Sequence, residues 1–221
     1  MKSIDAKGIL LDLDGTLLDT APDMVAALRP ICHNLDVPAP DFDFARAFVS
    51  MGAAGLLRAA LPQIDESEIT KLIPDYLDIY ADNIANKTIL FDGMAELLGQ
   101  LEADNIAWGV VTNKPAFLTK PLLRAMHLYD KCACVISGDT TAQRKPSAEP
   151  LLLGLQQAGL DANKTMYVGD AERDIQAGRN AGMLTVAALY GYILPEENPA
   201  DWKADYKIDH PGELLGLIKS I

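Results

Sequence analysis

The apolar positions of this chain fall into two rhythms. Short runs at Gly8–Leu11, Ala107–Val111, Ala133–Ile136, Thr165–Val168 and Thr185–Leu189 have the length of buried strands, and Tyr206–Ile208 makes a weaker sixth. Between them, Met94–Ala103, Ala116–Met126, Ala148–Ala158 and Glu172–Ala181 carry the pattern of helices with one buried face. Strands that alternate with helices of this length predict an α/β fold. The expected form is a Rossmann-like parallel sheet with helices on both faces and right-handed crossovers.

One segment breaks the alternation. From Pro22 to Asn86 no strand is legible, and Val25–Leu35, Phe42–Val49, Ala53–Leu61 and Ser67–Ile84 read as helices, with Pro38, Pro40 and Pro62 at the turns. The stretch is too long for a crossover. It predicts a small helical domain, residues 19–87, inserted into a core made of residues 1–18 and 88–221. The linkers are expected near Asp19–Pro22 and Lys87–Asp92. A chain of 221 residues suits one domain with an inserted lobe.

Composition narrows the partners. With 31 acidic and 19 basic residues the formal charge is −12, a surface that repels a nucleic-acid backbone. A local cluster of donors can still bind a small anion against that field. Cys32, Cys132 and Cys134 are odd in number and contain no Cys-x-x-Cys pair, which argues against a disulfide framework or structural zinc. The first residues have no signal-peptide core, since the apolar run from Ile9 stops at Asp12, and Met183–Leu194 is too short to span a bilayer. A cytoplasmic, soluble monomer or homodimer is expected, with no membrane or nucleic-acid partner.

The chemistry gathers at strand ends. The first strand runs into Asp12-Leu13-Asp14-Gly15-Thr16. Two carboxylates one residue apart point the same way if the chain stays extended, and Gly15 permits a sharp turn. Like charges at the end of a buried strand need a cation between them or a proton on one. A metal site, an acid/base site, or both are therefore open. Ala107–Val111 delivers Thr112 and Asn113, and Met166–Val168 delivers Gly169 and Asp170, with Asp174 four residues on. Lys145-Pro146 is read as the start of the helix before that strand, where proline suits the first position.

Ligands of open parallel sheets bind beyond the carboxyl ends of the strands, so these groups should meet at one edge. Asp12, Asp14 and Asp170 offer hard oxygen ligands of the kind Mg2+ favours beside a phosphate. Asp174, one helical turn beyond Asp170, would orient water or a ligand from behind. Thr112, Asn113, Lys145 and the backbone around Gly15 and Thr16 are donors for phosphate oxygens.

In this order the four motifs, Asp12-x-Asp14-x-Thr16, Thr112, Lys145 and Gly169-Asp170-x-x-x-Asp174, resemble those of the haloacid dehalogenase superfamily. The resemblance spans the chain, and the helical insertion matches that family's cap. It implies an Mg2+-dependent phosphomonoesterase of a small phosphorylated metabolite. Asp12 would be the nucleophile and Asp14 the acid and base. Asp14 would also ligate the metal through its backbone carbonyl, and Asp170 through its side chain. Thr112 and Lys145 would hold the transferring phosphoryl group.

Asp14 argues against the true dehalogenases, and hexose-phosphate mutases share all four motifs. Thr112-Asn113-Lys114-Pro115 and Tyr190-Gly191-Tyr192 resemble the phosphoglycolate phosphatase group. Gly191-Tyr192-Ile193, Asn198-Pro199, Trp202 and Asp209-His210-Pro211 resemble the N-acetylmuramic acid 6-phosphate phosphatases of cell-wall recycling. In the insertion, Ser50-Met51-Gly52-Ala53 is the expected substrate-facing loop, with Ser50 and Gly52 against the ligand. Arg46, Arg58 and Lys71 are read as solvated charges before substrate contacts.

Overall fold

The computed structural model of the protein describes residues 6–218. The ends of the expected core segments, residues 1–5 and 219–221, lie outside the described residues. The chain opens with β1 (Gly8–Leu11) and a short β2 (Leu18–Asp19). Five helices follow: α1 (Ala21–Ala26), α2 (Leu28–Asn34), α3 (Phe42–Arg46), α4 (Gly52–Ala60) and α5 (Glu66–Asp82). Then come β3 (Ile89–Leu90), α6 (Met94–Ala103), β4 (Ala107–Val111), α7 (Ala116–Ala125) and β5 (Val135–Ile136). The chain continues through α8 (Glu149–Ala158), β6 (Thr165–Gly169), α9 (Glu172–Asn180), β7 (Leu184–Ala188), β8 (Tyr206–Ile208) and α10 (Glu213–Leu217).

Six strands pair in the order β5-β4-β1-β6-β7-β8, all parallel. The strand order reverses at β1, which lies between β4 and β6. This is the point where open α/β sheets place their ligands. β1 is buried on both faces: Ile9 and Leu11 join Leu97, Leu101 and Leu122 on one side, and Leu10 joins Leu151, Leu155 and Tyr167 on the other. Each such side chain, fully removed from water, contributes about 2 kcal/mol. That two-sided burial explains why the sequence shows continuous apolar runs rather than alternation.

In the helical segment Leu28, Ile31, Leu56, Leu57, Ile69, Tyr76 and Tyr80 form a second apolar cluster, joined by Leu118 and Tyr192 from the rest of the chain. The Tyr76 hydroxyl donates to the Met24 carbonyl at 2.8 Å. The expected helix Val25–Leu35 is two helices, α1 and α2. Pro30 has no N–H to offer the Ala26 carbonyl, which removes one rung at the break. α1 starts at Ala21, earlier than expected, because Pro22 lies in its first turn, where no donor is needed. α5 runs through Pro74 and is capped by the Asp65 carboxylate, which accepts from Glu68 N–H at 3.0 Å.

The insertion leaves and rejoins the core at a ribbon absent from the sequence reading. β2 and β3 pair antiparallel, with Leu18 opposite Leu90 and Asp19 opposite Ile89. The buried Asp23 carboxylate ties the two crossings together. It accepts from the N–H groups of Lys87 and Thr88 and from the Thr88 hydroxyl, at 2.8 to 3.0 Å. Among the described residues no helix is long and apolar enough to cross a membrane.

Candidate active site

β1 ends at Leu11 and hands the chain to Asp12, which is 3 % exposed. Its Oδ1 accepts from Leu13 N–H at 2.7 Å and lies 2.8 Å from Lys145 Nζ. Among the described residues no donor is bonded to Oδ2, and Asp12 lines the cavity. β6 ends in Gly169 and presents Asp170, and α9 presents Asp174, both fully buried. Asp12, Asp170 and Asp174 each offer an oxygen within 4.8 Å of the others.

Lys145 is the counter-charge inside this cluster. Its Nζ lies 2.8 Å from Asp12 Oδ1, from Asp174 Oδ1 and from the Tyr167 hydroxyl. Tyr167 in turn donates to the Val111 carbonyl at 2.8 Å, at the end of β4. Lys145 does not start a helix, as the sequence reading had it. It lies with Pro146 in the turn before α8, and Pro150 takes the first-turn position instead. The Asn113 side chain holds that turn, accepting from Lys145 N–H at 3.0 Å and donating to its carbonyl at 3.1 Å. The strand-end Asn113, expected to touch phosphate, thus also places Lys145, and it lines the cavity with a second amide N–H still to give.

Asp14 turns to a different cation. Its Oδ1 accepts from the Thr20 hydroxyl at 2.6 Å and from Lys114 at 2.8 Å. The Lys114 ammonium is buried beneath the Tyr80 ring of α5, 4.5 Å from its centroid. Thr112 is buried, and its hydroxyl accepts from Lys114 N–H at 3.1 Å. Gly15 has φ of 83°, and a Cβ there would overlap the Asp170 carboxylate. Thr16 donates to Asp170 Oδ1 at 3.2 Å.

Two cap-like contacts close over Asp170. The Ser50 hydroxyl donates to its Oδ2 at 2.7 Å, and the Ser50 carbonyl accepts from Arg173 at 2.7 Å. Tyr192 N–H also donates to Oδ2 at 2.9 Å. The Tyr192 hydroxyl donates to Asp19 at 2.6 Å and accepts from Ala21 N–H at 2.9 Å, fastening the loop after β7 to the start of α1. Ser50, Met51, Gly52 and Ala53 line the same cavity as Asp12, Asp14, Thr112 and Asn113. Arg58 and Lys71 are exposed partners of Glu66 and Glu68, and Arg46 lies over the Tyr192 ring at 4.7 Å.

The electrostatics favour a cation. Burial, with Asp12 and Asp174 alongside, pushes the Asp170 carboxyl up to about 7. Burial also raises Asp174, against the pull of Lys145. Three buried carboxylates face the Lys145 ammonium and the Arg173 guanidinium, which still leaves them short of positive charge, and a divalent ion on oxygen ligands meets that need. Asp12, Asp170 and Asp174 are the side chains that could hold one, and each already has donors: Asp12 and Asp174 share Lys145, and Asp170 accepts from Thr16, Ser50 and Tyr192.

Sequence reasoning gave no site role to Lys114, Arg173 or Thr20. Lys114 stands two residues past the strand-end Thr112, and Arg173 lies inside the Gly-Asp-x-x-x-Asp spacing. Both positions were open to inspection. Thr20 had no signal beyond its nearness to Asp14.

Comparison with known proteins decides the family. The haloacid dehalogenase-like hydrolase family matches residues 9–188. The chain belongs to that family. It is 39% identical over 219 residues to an N-acetylmuramic acid 6-phosphate phosphatase of Pseudomonas aeruginosa, covering 99% of this chain and 97% of that one. It is 40% identical over 208 residues to a phosphoglycolate phosphatase of Xanthomonas campestris, covering 94% of each. The crystal structure of a predicted phosphoglycolate phosphatase from Haemophilus somnus superposes with a TM-score of 0.85 at 26% identity, covering 98% of this chain and 99% of that chain. This haloacid dehalogenase family member is a phosphatase, with the expected six-stranded parallel sheet.

Proposed function

We propose that the chain hydrolyses the phosphomonoester of a small phosphorylated metabolite through an aspartyl-phosphate on Asp12. The observation that carries this reading is the state of Asp12. One oxygen is fixed by Lys145 and Leu13 N–H, the other has no donor among the described residues, and Asp12 lines a cavity of about 530 Å³. A held carboxylate with one free oxygen is oriented for in-line attack on phosphorus. Attack forms the Asp12–phosphorus bond and breaks the bond to the leaving oxygen. Asp14 lines the same cavity and would deliver a proton to that oxygen, then take one from the water that hydrolyses the acyl phosphate. Thr112 and Lys145 would hold the phosphoryl oxygens.

Mg2+ fits the carboxylate cluster, held by the side chains of Asp12 and Asp170 and by the Asp14 carbonyl, with Asp174 steadying Lys145 behind them. Bound there, it would neutralise charge on the phosphoryl group. Residues 19–87 would act as a cap hinged at the β2–β3 ribbon and exclude water when closed.

N-acetylmuramic acid 6-phosphate is the first substrate to test and 2-phosphoglycolate the second, on the strength of the relatives' names and near-full-length similarity. Phosphate release from both, and from hexose phosphates, tests the reading. Asp12→Asn should lower turnover by about 10⁴-fold. Wild-type turnover in that variant would remove Asp12 as the nucleophile. Formation of an isomer without inorganic phosphate would assign the chain to the mutases.

A further inference from the structure

The cavity before Asp12 is charged on one wall only. The insertion contributes Met24, Val49, Met51, Ile73 and Leu77, with Ser50 and Tyr80 as its polar side chains. Every cation comes from the core, and each adjoins or lies near a motif residue. Lys114 follows Thr112 by two positions, Arg144 precedes Lys145, and Arg173 precedes Asp174. In a chain of net charge −12, three cations on one wall are a local reversal of the global field.

The donors on that wall are not all used. Lys114 is taken up by Asp14 at 2.8 Å. Arg173 gives one N–H to the Ser50 carbonyl at 2.7 Å, and its charge also acts on the buried Asp174, Asp12 and Asp170, with further N–H donors left on its fork. The Arg144 guanidinium has no ion-pair or hydrogen-bond partner among the described residues, while its backbone is fixed by the clamped Lys145 beside it. Tyr80, fully buried on the opposite wall, has a hydroxyl with no partner among the described residues. Apart from Asp12 and Asp14, which the reaction uses, no carboxylate lines the cavity. A ligand that fills it must therefore bring acceptors, and two guanidinium groups favour a planar anion.

We propose that the substrate carries a carboxylate on its leaving group, and that Arg144 and Arg173 bind it. This rests on the phosphatase reading and narrows it to phosphorylated acids. Both substrates put first above meet the requirement: one carries a lactyl acid and the other is itself a hydroxy-acid phosphate. The core, not the insertion, then reads the acid, and the insertion supplies an apolar wall for the remainder.

Matched pairs test the assignment. Phosphate release is measured for N-acetylmuramic acid 6-phosphate against N-acetylglucosamine 6-phosphate, and for 2-phosphoglycolate against ethyl phosphate. Wild-type protein should favour the acid in at least one pair by about tenfold or more in kcat/KM. Arg144→Gln and Arg173→Gln should each cut that preference by about tenfold, and the lysine variants should restore part of it. A general loss of folding lowers both members of a pair and leaves the ratio alone. If Arg173→Gln does not fold, Arg144→Gln carries the test. No preference in the wild type, or a preference unmoved in both glutamine variants, overturns the subsite and leaves the phosphatase reading standing. Release from no member overturns the substrate reading and the subsite with it.

Discussion

Lys145 shows how much of the site rests on one side chain. Its ammonium is the nearest positive charge to both Asp12 and Asp174. Replacing it with methionine keeps the volume and removes the charge, leaving two buried carboxylates facing each other. Lys145→Met should cost about 3–5 kcal/mol, read as a lower midpoint in urea at unchanged slope. Mg2+ should recover more of that loss in the variant than it adds to the wild type. An unchanged midpoint would mean that the carboxylates find another partner. In the sequence Lys145 is almost mute, since a lysine before a proline is common on surfaces. Only its position among the strand-end groups singled it out. Asp12 and Asp170 were easier to read because an acid after a buried run is costly and so demands a reason. Asn113 was read as a phosphate donor, and its second task was hidden because an amide's partners are not written in its neighbours. Its hold on Lys145 spans a gap that only the folded chain closes.

At the level of elements, β1, β4, β8 and α6 follow the apolar pattern to their ends. Burial on both faces gives β1 and β4 unbroken apolar runs and α6 has a steady helical stripe, while the half-exposed β8 was legible only as the weaker sixth strand. The β2–β3 ribbon escaped because two-residue strands have no period at all. α10 was too short to register, and α1 was hidden by a proline that reads as a breaker yet is at ease in a first turn. The ribbon also exposes a weak point. Asp23 satisfies two backbone N–H groups and a hydroxyl from the returning strand, all partly or fully buried. Asp23→Ala leaves those donors without an acceptor and should cost about 2–4 kcal/mol, measured by chemical denaturation. Amide exchange at Lys87 and Thr88 should speed up before that at β1. Equal exchange at both sites in wild type and variant would deny the carboxylate its fastening role.

For the whole molecule, the buried acids make stability a function of pH and metal. In the metal-free protein Asp170 keeps a proton up to about 7, whereas its ordinary value is 3.8. Between those values the native state holds more protons than the unfolded chain, so stability falls as pH rises through the window and levels off above it. The loss is on the order of a few kcal/mol. Mg2+ binds the ionised form, so its stabilising effect should be larger at pH 8 than at pH 6. Thermal midpoints with chelator and with Mg2+ across that range check both statements, and a metal effect independent of pH would contradict them. One feature of the fold reaches further. Leu18 and Leu90 face each other in the ribbon. To the sheet, the entire insertion is therefore no more than a hairpin: two neighbouring ends. Another set of helices closed by the same two ends would leave Asp12 and Lys145 with their partners and would take from Asp170 only the Ser50 hydroxyl. The lobe would thus be exchangeable up to that contact. Its replacement would change which molecules reach the reaction centre, provided the new lobe again supplies a donor to Asp170 and an acceptor to Arg173.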